Sequence, residues 1–407
     1  MLQPTAVGLC GELGRLNLVD PDFAARGVDA VLAAARQAEA SDVHFQPTRD
    51  GLELKFRVDG VLTPVAMFPV QVAANITARL KVLAGLLTYH TDRPQEGRIR
   101  LPQDDVEMRV CTFPTLHGER IVVRLFGGTA RYQYLDDLGL SDDVLYPLRR
   151  LLSETSGAVL VSGPAGSGKT TTVYACLREI ARQATGARSL VSIEDPIEVA
   201  VEGVAQSQVN PPAGLDLAAG LRFLMRQDPE VLMVGEIRDR ATAESALQAS
   251  LTGHLLLSTF HAGSAAETVG RLLDMGLEPY VLRSGLLAIL NQRLLRRLCQ
   301  CAEPSDDPDA RLGLPVERMK IPRGCEQCGG TGYRGRFLLV EMLTLTKAEL
   351  AHAVLARSET SVIEQLAVES GMVSRWQRAC HGVELGLTSP AEVRRVLGFS
   401  QPVAIKS

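Results

Sequence analysis

The chain has 407 residues and is 46% hydrophobic but only 4% aromatic, with a formal net charge of −4 at pH 7. That length suits about two to four domains, while a small acidic excess and few rings argue against a protein that tracks nucleic acid by charge or base stacking. No apolar run approaches the roughly twenty residues of a membrane span, and Met1-Leu2-Gln3-Pro4 opens no basic stretch leading into an apolar one, so a cytosolic chain without a secretory signal is expected.

Residues 1–25 carry glycine and proline without a clear period and read as a tail. Beyond Gly27, the residues Val28, Val31, Leu32, Ala35 and Ala38 mark one face of a helix ending near Ala40. Val43–Pro47 reads as a short strand. Leu52–Val58 alternates, Asp59-Gly60 is a hairpin turn signal, and Val61–Phe68 is the return strand. A helix over Pro69–Leu87 and strands at Gly97–Leu101, Val106–Phe113 and Arg120–Phe126 complete an α+β domain over 26–130. Residues 131–150 form a linker.

A nucleotide domain is expected over 151–295. Its first strand is Ala158–Ser162, and three more apolar runs follow: Leu190–Ile193, Val231–Val234 and Leu255–Thr259. Helical stretches separate them, which means a mainly parallel sheet covered on both faces, an α/β fold. The chain from Ser284 to Leu298 is expected to be helical, with Gln292, Arg293, Arg296 and Arg297 on that helix. A four-cysteine module occupies 296–342 and contains the strand Phe337–Met342. Short helices fill 343–407.

Gly163-Pro164-Ala165-Gly166-Ser167-Gly168-Lys169-Thr170-Thr171 fits the phosphate-binding pattern G-x-x-x-x-G-K-[ST] at every fixed position. It lies between a strand and a helix, as that chemistry needs. The glycines let backbone N–H groups turn toward phosphate oxygens, and the helix N-terminus adds partial positive charge. Lys169 would reach the β- and γ-phosphates of ATP, and Thr170 would sit on Mg²⁺. In a covered parallel sheet the strand C-termini face the ligand crevice. Glu236 ends one strand there, where an acid can hold Mg²⁺ through water or polarise the attacking water. Glu194 and Asp195 end a second, with Glu198 close by, and His261 follows a third. His261 suits γ-phosphate sensing and a structural role equally well. Phosphoryl transfer needs more positive charge, for which Arg98, Arg109 and Arg124 are candidates if they are not ordinary surface arginines.

Of eight cysteines, Cys299, Cys301, Cys325 and Cys328 are clustered. Two close pairs of thiolates can hold one tetrahedral Zn²⁺, and the glycines after Cys328 suit a zinc knuckle. Buried free thiols are the other reading.

These segments together resemble the type II secretion and type IV pilus assembly ATPases. Gly163–Thr171 looks like the family's Walker A loop, Ile193–Glu198 its aspartate box, Asp228–Asp239 its atypical Walker B, and Thr252–His261 its histidine box. The first domain is similar in Ala40–His44, Arg57–Gly60 and Pro94–Arg98. The resemblance implies a RecA-like ATPase core behind a PAS-like domain, six copies in a ring, with Arg109 and Arg124 reaching the nucleotide. Glu236 would be the catalytic acid, with Lys169, Glu194 and His261 completing the site. It further implies a motor peripheral to the inner membrane that acts on a platform protein there to extend a pilus or pseudopilus; the cysteines favour extension over retraction. Two features depart from the family pattern. Only about twenty-five residues precede the first helix, where many members carry a further docking domain, and Cys299-x-Cys301 is shorter than the usual C-x-x-C. The competing reading is a nucleic-acid motor of the RecA-like class, for which only local basic runs such as Arg293–Arg297 speak.

Overall fold

The computed structural model describes residues 17–100, 107–125, 132–184 and 188–399, with residues 8, 9, 11, 13 and 14. Leu101, Val106 and Phe126, at the ends of expected strands, lie outside the described residues. So do Cys10, Arg131 and the end of the chain from Ser400. The described residues form two compact units.

The first unit takes the described part of Met1–Ala130, together with Leu298–Glu303 and Pro322–Gly335. Six antiparallel strands frame it: β1 (Asp42–Pro47), β2 (Gly51–Val58), β3 (Val61–Pro69), β4 (Gln95–Arg100), β5 (Glu107–Thr115) and β6 (Gly118–Leu125). Their order is β3-β2-β1-β6-β5-β4. Asp59 and Gly60 both take positive φ, 50° and 79°, as a tight two-residue hairpin requires. Helices α1 (Phe23–Gln37) and α2 (Val70–Leu83) cover one face. On α1, Val28, Val31, Leu32 and Ala35 recur at three- and four-residue spacing, so they form a stripe against the alternate strand residues Val43, Phe45, Leu54, Met108 and Val123. Each such valine, leucine, phenylalanine or methionine contributes about 1.5–3 kcal/mol by leaving water. Leu9, read from sequence as part of a tail, is 2% exposed and belongs to the same core.

The second unit takes Arg131–Arg297, Pro304–Ile321 and the chain from Arg336. After α3 (Asp142–Leu151) come β7 (Gly157–Ser162), α4 (Lys169–Ala184), β8 (Leu190–Glu194), β9 (Ala205–Gln208), α5 (Leu217–Leu224), β10 (Val231–Val234), α6 (Arg240–Leu251), β11 (Leu255–Phe260), α7 (Ala265–Asp274), α8 (Pro279–Gly285), β12 (Leu286–Leu298) and β13 (Tyr333–Leu343). Four helices close the chain: α9 (Ala348–Leu355), α10 (Thr360–Glu369), α11 (Arg375–Glu384) and α12 (Pro390–Leu397). The sheet runs β13-β12-β7-β11-β10-β8-β9, and every ladder from β12 to β9 is parallel. Its central strands β7, β11, β10 and β8 are buried throughout, against α3 and α4 on one side and α5–α8 on the other. Side-chain caps start several helices: Asp216, Asp239 and Ser264 each accept from the third backbone N–H of the helix they precede.

One expectation is corrected here. The helix expected over Ser284–Leu298 is instead the end of α8 followed by a thirteen-residue strand, β12. Its leucines fit a helix or a doubly buried strand equally well. Pairing with β7, Asn291 opposite Ser162, satisfies the backbone and overrides the helix preference of leucine and arginine. The stretch 296–342 contributes to both units. Its cysteine segments pack within the first unit, and the chain from Arg336 packs within the second.

Candidate nucleotide site and cysteine cluster

Gly163–Thr171 joins β7 to α4 at the C-terminal end of the parallel sheet. Gly163, Gly166 and Gly168 take φ of 148°, 72° and 86°, which side-chain-bearing residues rarely adopt. At Gly163 the need is absolute: a Cβ would lie 2.5 Å from the Gln292 carbonyl oxygen on β12. Lys169 is 8% exposed and donates to the carbonyls of Gly163 at 3.1 Å and Pro164 at 2.9 Å. Its ammonium thus rests on the loop it serves. Burial pulls its pKa below the ordinary lysine value, the nearby Arg293 guanidinium adds to that, and Glu236 and Glu198 oppose it.

Glu236 follows β10. Its two oxygens meet His261 Nε2 at 3.0 Å and Arg238 Nε at 2.8 Å. His261 follows β11, and its carbonyl accepts from Arg271 Nη1. Burial chiefly, then Lys169, hold its pKa below the usual imidazole value against the pull of Glu236, so the ring is neutral at pH 7. Gly235 precedes the acid because β10 and β8 approach closely there: a Cβ on it would sit 3.2 Å from Glu194 Cα.

The acids after β8 divide their labour. Glu194 is 2% exposed, and its carboxylate accepts from Tyr174 at 2.5 Å, Ser192 at 2.6 Å and Gln206 at 2.9 Å. Tyr174 in turn accepts from the Glu198 backbone N–H at 3.2 Å. Glu198 is the acid beside Thr170, whose Oγ1 donates to its Oε1 at 3.4 Å. Lys169, Thr170, Glu198, Glu236 and His261 are therefore brought together at the strand ends, while Glu194 supports them from behind. Tyr174 and Gln292 were not picked out from the sequence as site residues. Nothing in the sequence sets them apart, because α4 and β12 carry other polar residues beside them.

Arg109 and Arg124 belong to the first unit. Cross-strand pairing sets Arg57, Asp42, Arg124, Arg109 and Arg98 in one row across β2, β1, β6, β5 and β4, so they share a face. Asp42 accepts from Arg124 Nε at 3.0 Å and lies 3.4 Å from Arg57, and Arg109 pairs with Glu96 at 2.6 Å. Adjacent like charges across a ladder repel, so a row this rich in arginine suits an anion.

The sulfurs of Cys299, Cys301, Cys325 and Cys328 lie within 4.8 Å of one another. Three of the pairs stand at 3.7, 3.8 and 3.9 Å. A tetrahedral ion with Zn–S bonds of about 2.3 Å sets its sulfurs about 3.8 Å apart, which these three pairs match. The backbone N–H groups of Cys325 and Gly332 donate to Cys328 Sγ at 3.1 and 3.2 Å. Burial opposes ionisation of that thiol, but these bonds outweigh it and bring its pKa down to about 6. Such N–H···S contacts suit a thiolate ligand.

The family model described as type II/IV secretion system protein matches residues 17–395. The chain is 37% identical, over 92% of its length, to the type IV pilus assembly ATPase PilB of Thermus thermophilus, of which it spans 43%. It is 40% identical, over 93% of its length, to the type II secretion system protein E of Klebsiella pneumoniae, of which it spans 76%. Among solved structures it shares the fold of the Legionella pneumophila ATPase DotB, with a TM-score of 0.66, 22% identity, and coverage of 90% of this chain and 94% of that one. The complete phosphate loop and the acid and histidine facing it, on this sheet and with these relatives, make the chain a member of the type II/IV secretion ATPase family, a group of ATP-hydrolysing enzymes.

Proposed function

We propose that the chain hydrolyses ATP as a ring of six copies on the cytoplasmic side of the inner membrane, and that a platform protein there couples the work to growth of a pilus or pseudopilus. The observation that carries this reading is the convergence of Lys169, Glu236 and His261 beyond the C-terminal ends of three adjacent strands, β7, β10 and β11. Among the described residues no helix is long and apolar enough to cross a membrane, so a separate membrane partner is part of the proposal.

On this reading Lys169 exchanges the carbonyls of Gly163 and Pro164 for phosphate oxygens. Thr170 would hold Mg²⁺, with Glu236 nearby, and the ion would supply charge neutralisation to the phosphates. Glu236 aligns the attacking water and accepts its proton. Neutral His261 fixes one oxygen of that carboxylate, leaving the other for the water once Arg238 swings away. Arg109 and Arg124 supply positive charge for the terminal phosphate, the largest demand of a phosphoryl-transfer transition state. Glu194 keeps Tyr174, and through it Glu198, in place. Cys299, Cys301, Cys325 and Cys328 hold one structural Zn²⁺.

The test is Mg-dependent phosphate release by the purified chain, followed with its mass by light scattering. Turnover should rise as hexamers form and vanish in Lys169→Ala. Glu236→Gln should lower kcat roughly 10²- to 10⁴-fold with ATP still bound; full hydrolysis by that variant would remove Glu236 from its role. Replacing the gene copy in the host with Lys169→Ala should abolish the filament, and an unchanged filament would end the assembly reading.

A further inference from the structure

Strand β12 carries a residue that the nucleotide reading above does not use. Gln292 is 0% exposed. Its Oε1 accepts from Thr172 Oγ1 at 3.1 Å, and its Nε2 donates to the Ser167 carbonyl at 2.9 Å. Both ends of this one amide are thus spent on the phosphate loop and the first turn of α4, on either side of Lys169. The same residue's main-chain carbonyl is what forbids a side chain at Gly163.

The consequence follows from peptide geometry. In a trans peptide the C=O of one residue and the N–H of the next point in opposite directions. Fixing the Ser167 carbonyl on Gln292 therefore turns the Gly168 N–H away from β12. Loops of this pattern bind phosphate through such inward-facing N–H groups. Gly168 takes φ of 86°, a conformation with several neighbouring alternatives for glycine, so something outside the loop must select it. The neighbouring Asn291 extends the same strand's grip: its Nδ2 donates to Ser162 Oγ at 3.0 Å and to the Ala262 carbonyl at 3.2 Å, one residue past His261.

We propose that Gln292 is a positioning residue for the phosphates of ATP, which acts through the Ser167 peptide to aim the Gly168 N–H, with Thr172 serving to orient its amide. The inference rests on the nucleotide site being the one described above. Gln292 touches no substrate itself.

The experiment separates a positioning role from a merely structural one. Gln292→Met keeps length and volume but loses both hydrogen bonds, and it orphans the buried Thr172 hydroxyl. Adding Thr172→Val removes that orphan, because replacing both partners of a bond by apolar groups is close to neutral for stability. MgATP affinity of the full chain is measured with thermal unfolding for each variant. Gln292→Met should bind MgATP roughly ten- to a hundredfold more weakly. The double variant should recover its melting temperature but not its affinity, since the Ser167 tie is still missing. Thr172→Val alone should lose no more than about threefold. Recovery of affinity along with melting temperature in the double variant would overturn the proposal, as would parental affinity in Gln292→Met. If Gln292→Met does not fold, Gln292→Leu combined with Thr172→Val replaces it, removing the donor to Ser167 without adding a charge, with the same loss expected. Lys169→Ala, run alongside, tells the two readings apart. Unchanged affinity there would sink the site itself, whereas loss there with parental affinity in Gln292→Met sinks only this inference.

Discussion

At the scale of single residues, the site depends on charges kept in one protonation state. His261 stands 3.0 Å from Glu236, a distance that would favour the imidazolium, yet burial and Lys169 hold its pKa below the usual value of about 6.5. The folded chain therefore resists a proton that the unfolded chain accepts, and stability falls as pH drops through that unfolded value. Activity should follow. A proton on His261 would set a full positive charge against the Glu236 carboxylate and weaken it as acceptor of the water's proton. We expect kcat to be flat above pH 7 and to fall below about pH 6, with the acidic limb absent from the residual activity of His261→Gln; an identical limb in that variant would assign the titration elsewhere. The acids were only half legible in the sequence. A strand end followed by Glu194, Asp195 and Glu198 reveals a cluster but not its division, because the donors that claim Glu194 come from α4, β8 and β9. Their meeting depends on strand register. Tyr174→Phe tests that division. It removes one of three donors to a buried carboxylate and should cost about 1–3 kcal/mol in urea unfolding. A loss under about half a kcal/mol would show that Ser192 and Gln206 satisfy Glu194 without it.

At the scale of elements, the parallel core was readable because its strands are short continuous apolar runs ending in polar residues, a pattern that burial on both faces imposes. The edge of that pattern was not. In Leu286–Leu298 the apolar positions suit two periods at once, and only the ladder with β7 decides between them. The misreading matters because β12 shapes the phosphate loop from outside. At Gly163 the loop passes so near β12 that no Cβ fits, and φ is 148°. Gly163→Ala should therefore push the loop off β12 and loosen the hold of Gln292 at once. MgATP binding should weaken by more than about tenfold, measured by equilibrium titration, with the far-ultraviolet circular dichroism of the parent. Binding within twofold would mean that the loop can settle elsewhere without losing its grip on phosphate.

For the whole molecule, the instructive feature is how the chain divides. Each unit has its own core, one under an antiparallel sheet and one around a parallel sheet, and both sheet types were legible from alternation in the first and continuous runs in the second. The cysteines were legible as a cluster by spacing alone. Their membership was not, because Cys299 and Cys301 follow a strand of the second unit's sheet, yet Leu298–Glu303 and Pro322–Gly335 pack within the first. Segments so far from the rest of that unit in sequence need a fastening of their own. Sulfurs 3.7–3.9 Å apart supply the place for one, and Gly335 N–H donates to Asp59 Oδ2 in the β2–β3 turn at 2.7 Å as a second tie. Zinc binding to such a site is folding free energy for the segments that form it. Purified protein should accordingly carry close to one zinc per chain, read by elemental analysis. Removal by a chelator, or Cys328→Ser, should expose 299–335 to limited proteolysis and lower the first unfolding transition. The phosphate loop draws no residue from these segments, so MgATP affinity should change by less than about threefold. A chain with less than one metal per several copies, or one whose proteolysis and melting ignore the chelator, would make the four thiols a packed cluster rather than a metal centre.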